Sequence, residues 1–128
     1  FQQRNFDQGI ADCDMAIELD PTLSQSHVNR SLCYLGQEKF EMVLADCTTA
    51  IGLNPTGLQA YMLRGIACSR LGQQDKAIAD FTEAFRIDPD YAQAYYSRGV
   101  AYQELGDQVK ADADFAKAKE LGYEEPEP

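Results

Sequence analysis

The sequence predicts an all-α solenoid of stacked antiparallel helix pairs, about 3.5 units and seven helices long. Three sets of residues recurring at one spacing predict it. Pro21, Pro55 and Pro89 stand 34 residues apart, and so do Arg30, Arg64 and Arg98. The same offset relates Asp12, Asp46, Asp80 and Asp114, each preceded by an alanine and followed by Cys13, Cys47, Phe81 or Phe115. A unit of this length cannot bury its apolar face alone, so copies stack and build an extended surface better suited to holding a partner than to chemistry.

Taken in order, residues 1–21 align with the second half of a unit only, which gives a lone helix B over about residues 5–19. Complete units follow at 24–57, 58–91 and 92–121. Within a unit the apolar positions Tyr61, Gly65 and Cys68, or Tyr95, Gly99 and Tyr102, have the three-and-four spacing of one helical face. Ala77, Phe81 and Ala84 repeat that spacing on the second helix. Small residues recur where two helices touch: Ser31, Gly65 and Gly99 on helix A, and Ala16, Ala50, Ala84 and Ala118 on helix B. Gly72 and Gly106 supply the turn between the two helices. Asp20-Pro21, Asn54-Pro55 and Asp88-Pro89 end helix B, because proline disfavours helical geometry in its predecessor. Gly36 sits two positions early, so the second unit's turn is expected to differ locally.

The two ends of the array are unequal. Positions that carry Leu44 and Ile51, or Ile78 and Phe85, become Asp112 and Lys119 in the last unit, the polar face of a terminal repeat. Residues 122–128 follow as an acidic, proline-containing tail expected to be disordered. At the other end Phe6, Cys13 and Ala16 lack the helix A that would cover them, and a sequence opening on Phe1 without an initiator Met or a charged-then-apolar leader is expected either to have its true N-terminus upstream or to be a processed segment. An upstream helix or a second copy of the chain, giving a homodimer, is expected to cover this face.

Composition excludes several classes. The chain is 45% hydrophobic without an apolar stretch long enough to span a bilayer, so no membrane insertion is expected. Its net charge of −10 argues against nucleic acid, whose binding requires Lys and Arg to neutralise phosphates. Cys13, Cys33, Cys47 and Cys68, separated by 20, 14 and 21 residues, include no Cys-x-x-Cys pair and read as buried reduced thiols. They point to a cytoplasmic location. No metal site, cofactor, phosphate loop or nucleophile elbow emerges, so no enzyme is expected. His27 stands where Tyr61 and Tyr95 stand and reads as a packed aromatic substitute. Asn29-Arg30-Ser31 fits a glycosylation sequon but lies inside a predicted helix.

With Tyr61, Gly65, Gly72, Ala77, Phe81, Ala84 and Pro89 all on its pattern, the chain resembles the tetratricopeptide repeat family over about residues 5–121. Cys68 departs from the family's usual tyrosine, and Cys13 and Cys47 from its aromatic. The resemblance implies a right-handed superhelix with helix A on the concave face and helix B on the convex one. It places Gln25, Val28, Asn29, Leu32 and Leu35, then Gln59, Met62, Ile66 and Arg70, then Gln93, Tyr96, Val100 and Gln103 toward the groove. That is a glutamine row beside an apolar row, suited to a peptide whose backbone the amides bond while Val28, Met62 and Tyr96 give nonpolar contact. Leu32, Ile66 and Val100 serve equally well as packing between neighbouring A helices. Asn29 matches one position of the carboxylate clamp of co-chaperone repeats, but Gln59 and Leu63, or Gln93 and Ser97, stand where its Lys and Arg belong.

Charge is uneven between helices: residues 24–36, 58–71 and 92–105 hold Arg30, Arg64, Arg70 and Arg98 against Glu104 alone. The periodic arginine and aspartate rows are expected to pair helix A with helix B rather than to bind a ligand. Arg70 lies outside that row and reads as the freer cation. The implied function is a protein or peptide binding scaffold; the alternatives are self-association and an accessory domain of a larger protein.

Overall fold

Connections between helices repeat with the sequence. At each B-to-A junction an Asp or Asn oxygen accepts from the backbone N–H two residues on: Asp20 from Thr22 at 3.0 Å, Asn54 from Thr56 at 3.3 Å and Asp88 from Asp90 at 3.1 Å. These Asx turns bracket the proline, whose missing N–H cannot continue a helix. The computed structural model describes residues 2–124 and contains α1 (Gln2–Leu19), α2 (Ser24–Gly36), α3 (Phe40–Leu53), α4 (Leu58–Arg70), α5 (Gln74–Ile87), α6 (Ala92–Glu104) and α7 (Gln108–Glu120). Every described element is a helix.

At the A-to-B junctions the backbone closes on itself. Leu71, Gly72 and Gln73 donate to the carbonyls of Ala67, Ser69 and Cys68, and Gly72 has φ +79°. The second unit was expected to turn differently, but Gln37, Glu38 and Lys39 make the same three bonds to Cys33, Leu35 and Tyr34. Glu38 adopts the left-handed φ of +57° in place of a glycine. The displaced Gly36 answers to packing instead: Phe6 of α1 lies where a side chain on Gly36 would project.

Each helix packs on its sequence neighbours, and α2 touches α4 as α4 touches α6. Among the described residues α1, α3, α5 and α7 make no such contact with one another. The A helices therefore approach closely on one side while the B helices splay on the other, which curves the array with α2, α4 and α6 inside. The core follows the array as two clusters. One centres on Val28, Val43, Cys47, Ala60 and Leu63, the other on Tyr61, Met62, Phe81, Ala84 and Ala94. Ala50, Ala84 and Ala118 are at most 1% exposed, since only a methyl group fits between a B helix and its A partner. Phe81, the largest fully buried side chain, contributes about 1.5–3 kcal/mol by its burial.

The last unit differs from the earlier ones on its outer face and at its end. Phe85 stacks on Tyr95 of the next repeat with centroids 4.3 Å apart, whereas its counterpart Lys119 is exposed, as is Asp112. Gly122 replaces the Asx residue, and Tyr123 folds back so that its ring stacks on Tyr96 at 4.4 Å. Of the tail expected to be disordered from residue 122, residues 122–124 are described, with Tyr123 in this aromatic contact; residues 125–128 lie outside the described ones.

Candidate functional site

The inner face begins with what holds α2, α4 and α6 in place. Arg30 donates to Asp46 at 2.9 and 2.6 Å, Arg64 to Asp80 at 3.0 and 2.8 Å, and Arg98 to Asp114 at 2.8 and 2.8 Å. These are two-pronged, charge-assisted bonds from helix A to its own helix B, as the periodic rows led us to expect. The remaining guanidinium nitrogen reaches the preceding B helix: Arg30 to Asp14 at 2.9 Å, Arg64 to Thr48 at 3.4 Å and Arg98 to Thr82 at 3.2 Å. Asp14, Thr48 and Thr82 are themselves 34 apart. Sequence reasoning missed this second row because the residue type changes, although each member offers an acceptor oxygen. Each arginine thus joins three helices, and bonding raises the pKa of all three.

His27 and Tyr61 occupy one position and make one contact. His27 Nε2 lies 3.1 Å from the Pro21 carbonyl, and the Tyr61 hydroxyl donates to the Pro55 carbonyl at 3.1 Å. His27 is buried, its Nδ1 unbonded. The four cysteines are free thiols, all with pKa raised chiefly by burial, Cys47 to about 11. A thiol held protonated is a poor nucleophile and metal ligand.

On the inner face itself, Ile66, Ser69, Arg70, Tyr96, Ser97 and Val100 line a cavity of about 150 Å³ between α4 and α6, with Phe81 behind them. Gln25, Val28 and Gln59 meet in a smaller cavity of about 40 Å³ between α2 and α4. Gln25, Asn29, Gln59 and Gln93 are exposed, and Gln25 donates to Asn29 at 2.9 Å. Leu32 is 39% exposed, while Ile66 and Val100 are half-buried.

The expected nonpolar contacts from Val28 and Met62 are corrected here. Val28 and Met62 are 5% and 4% exposed and belong to the two core clusters, because the close approach of successive A helices covers that stripe. They cannot offer a ligand free nonpolar surface. Arg70, read as the freer cation, has a side chain 56% exposed; it pairs with Glu38 of the preceding turn at 2.7 Å and lies 4.9 Å from the Phe40 ring centroid. Tyr96 is shared between the inner face and the end of the array, with Phe115 at 5.4 Å and Tyr123 at 4.4 Å.

The face of α1 also differs from the expectation. Phe6 is half-buried against Gly36, and Cys13 and Ala16 are half-buried too. The exposed apolar side chains of this helix are Met15, at 65%, and Leu19, at 85%. Asp12, the first member of the aspartate row, is exposed and accepts from Gln8 at 3.1 Å instead of from an arginine.

Comparison with known proteins agrees with this architecture. A TPR repeat profile matches residues 65–106, and a tetratricopeptide repeat profile matches residues 92–121. No curated protein matches the sequence. Among solved structures, a crystal structure of MamA is 27% identical with a TM-score of 0.83, over 88% of this chain and 66% of that one. A second MamA structure is 26% identical with a TM-score of 0.86, over 91% of this chain and 63% of that one. MamA from Desulfovibrio magneticus RS-1 (residues 41 to end) shares the fold at 20% identity and a TM-score of 0.86, over 91% of this chain and 66% of that one. This chain thus spans about two thirds of the length of the MamA chains it resembles. Paired helices on a 34-residue period, repeat profiles over residues 65–121 and superposition on MamA agree: residues 65–121 are tetratricopeptide repeats, in a chain that has the fold of a TPR array.

Proposed function

We propose that this chain is a protein-interaction scaffold that holds an extended peptide or a helix of a partner along the face built by α2, α4 and α6, without chemistry of its own. The observation that carries the reading is the cavity where Ile66, Arg70, Tyr96 and Val100, from two successive A helices, come together. Its floor is apolar, and Ser69 and Ser97 add hydroxyl groups. The exposed amides of Gln25, Asn29, Gln59 and Gln93 keep donors and acceptors for a partner's backbone beyond the Gln25–Asn29 and Tyr91–Gln93 bonds. An interface of this size supports affinity on the order of micromolar.

The net charge of −10 disfavours nucleic acid as the partner, and no described helix is long and apolar enough to cross a membrane. Four free thiols fit a reducing compartment such as the cytoplasm. The test is selection from a displayed peptide library, followed by titration of the enriched peptides against wild type and a Ser97→Arg variant, which fills the cavity with a long charged side chain. Binding should weaken about tenfold or more at an unchanged melting temperature. Equal affinity for both proteins would remove the groove from the account.

One observation favours a second reading, association through α1: Met15 and Leu19 are largely exposed on a helix whose Asp12 accepts from Gln8 and, among the described residues, from no arginine. A helix of the same protein or of a second copy would cover this face, Phe6, Cys13 and Ala16 included. Sedimentation of wild type against Leu19→Lys separates the two readings. A concentration-dependent dimer that the substitution disperses supports self-association; a wild-type monomer at all concentrations excludes it.

A further inference from the structure

We propose that the outer side of the array carries a slot for an aromatic side chain of a partner protein, between α3 and α5 at the position of Cys68. A cavity of about 330 Å³ opens there, lined by Leu44 and Thr48 of α3, Arg64 and Cys68 of α4, and Lys76 and Asp80 of α5. The chain itself shows what fits such a site, because four of its polar lining residues recur in the next repeat. Thr82, Arg98, Lys110 and Asp114 stand 34 residues after Thr48, Arg64, Lys76 and Asp80, with identical residue types. What differs is the occupant: Tyr102 takes the place of Cys68. The Tyr102 ring centroid lies 5.5 Å from the Arg98 guanidinium and 5.4 Å from the Lys110 ammonium. In the preceding repeat Tyr34 holds the same position, 6.0 Å from Arg30.

Arg64 and Lys76 therefore flank a slot built for a ring that the third unit lacks. Two cations beside an apolar wall favour the π face of Tyr or Phe over an aliphatic side chain, which lacks the quadrupole they attract. The splay of the B helices leaves the slot open, since α3 and α5 do not touch. A second copy of the chain is a poor donor. Every Phe and Tyr from residue 4 to residue 124 is buried or half-buried, so among the described residues none is presented for such docking, and the ring we propose is that of a different protein. This slot is separate from the inner face, and its test does not depend on whether the groove binds.

The probes are p-cresol, the peptide acetyl-Gly-Ser-Tyr-Ser-Gly-amide and its counterpart with Ala for Tyr, titrated into 15N-labelled protein. Both p-cresol and the tyrosine peptide should shift the amide signals of Thr48, Cys68 and Lys76, and the alanine peptide should not. Cys68→Tyr fills the slot from within; it should weaken both ligands at least about tenfold and raise the melting temperature. Lys76→Gln, at an exposed position, should weaken them about threefold without moving the melting temperature, which keeps the test valid if Cys68→Tyr folds poorly. Equal responses to the tyrosine and alanine peptides, unchanged affinity in Lys76→Gln, or binding of p-cresol without the peptide would each overturn docking of a partner's ring.

Discussion

Arg64 on α4 grips Asp80 on α5 through hydrogen bonds of 3.0 and 2.8 Å, and its third nitrogen extends back to Thr48 on α3. The Asp80 side chain is 8% exposed, so Arg64 rather than water supplies its hydrogen-bond donors. Replacing Arg64 by Ala strands a buried carboxylate and should cost about 3 kcal/mol, read as a lower midpoint in urea denaturation. An unchanged midpoint together with lost peptide binding would instead assign Arg64 to a ligand.

Helix A and helix B complement each other in volume at one position. A side chain on Gly65 would begin 2.5 Å from the Phe81 ring, and one on Gly99 would begin 2.7 Å from the Phe115 ring. In the second unit the larger Ser31 stands with the smaller Cys47, and the Ser31 hydroxyl donates to the Val28 carbonyl of its own helix at 2.6 Å. Gly65→Ser alone should destabilise by about 1–3 kcal/mol through overpacking. Combined with Phe81→Cys it should lose less than the two single variants summed, because the pair then reproduces Ser31 and Cys47. Strict additivity in thermal melts would contradict this complementarity.

How much of this was legible in the sequence depends on what the period exposes. The helix pairs, the Asx-Pro junctions and the Arg–Asp bonds were readable, because each recurs as one residue type every 34 positions. Asp14, Thr48 and Thr82 escaped notice because they share a chemical capability and not a name. Val28 and Met62 were misplaced for a different reason. Three-and-four spacing identifies an apolar stripe but cannot say whether the next helix covers it, and here the close A-helix contacts do. The cavity at Cys68 was half-visible: the missing tyrosine could be read, but the empty volume beside Arg64 and Lys76 required the structure.

Glu38 holds a left-handed backbone at the position where Gly72 and Gly106 sit. Glu38→Gly should stabilise the turn by about 1 kcal/mol. Loss of the exposed pair with Arg70 offsets this by about 0–1 kcal/mol. A melting temperature equal to or slightly above that of wild type is expected. A drop of several degrees would mean that the Arg70 pair matters more than its exposure suggests.

Alkaline stability should follow the thiols. Burial raises the Cys47 pKa from 9.0 to about 11, so above pH 9 the unfolded chain loses a proton that the folded chain keeps. The stabilisation is complete below about pH 9 and is lost as the pH rises through about 11, a change of roughly 2–3 kcal/mol. Chemical denaturation across that range should show the decline in wild type and a shallower one in Cys47→Ala. Parallel slopes would contradict the assignment.

The most direct test of the scaffold reading is a hydrogen-exchange footprint of the chain with a selected peptide bound. Slowed exchange in α4 and α6 around Ile66–Arg70 and Tyr96–Val100, with α3 and α5 unchanged, is the predicted result. Protection confined to the B helices or to α1 would place the partner elsewhere and contradict the inner-face account.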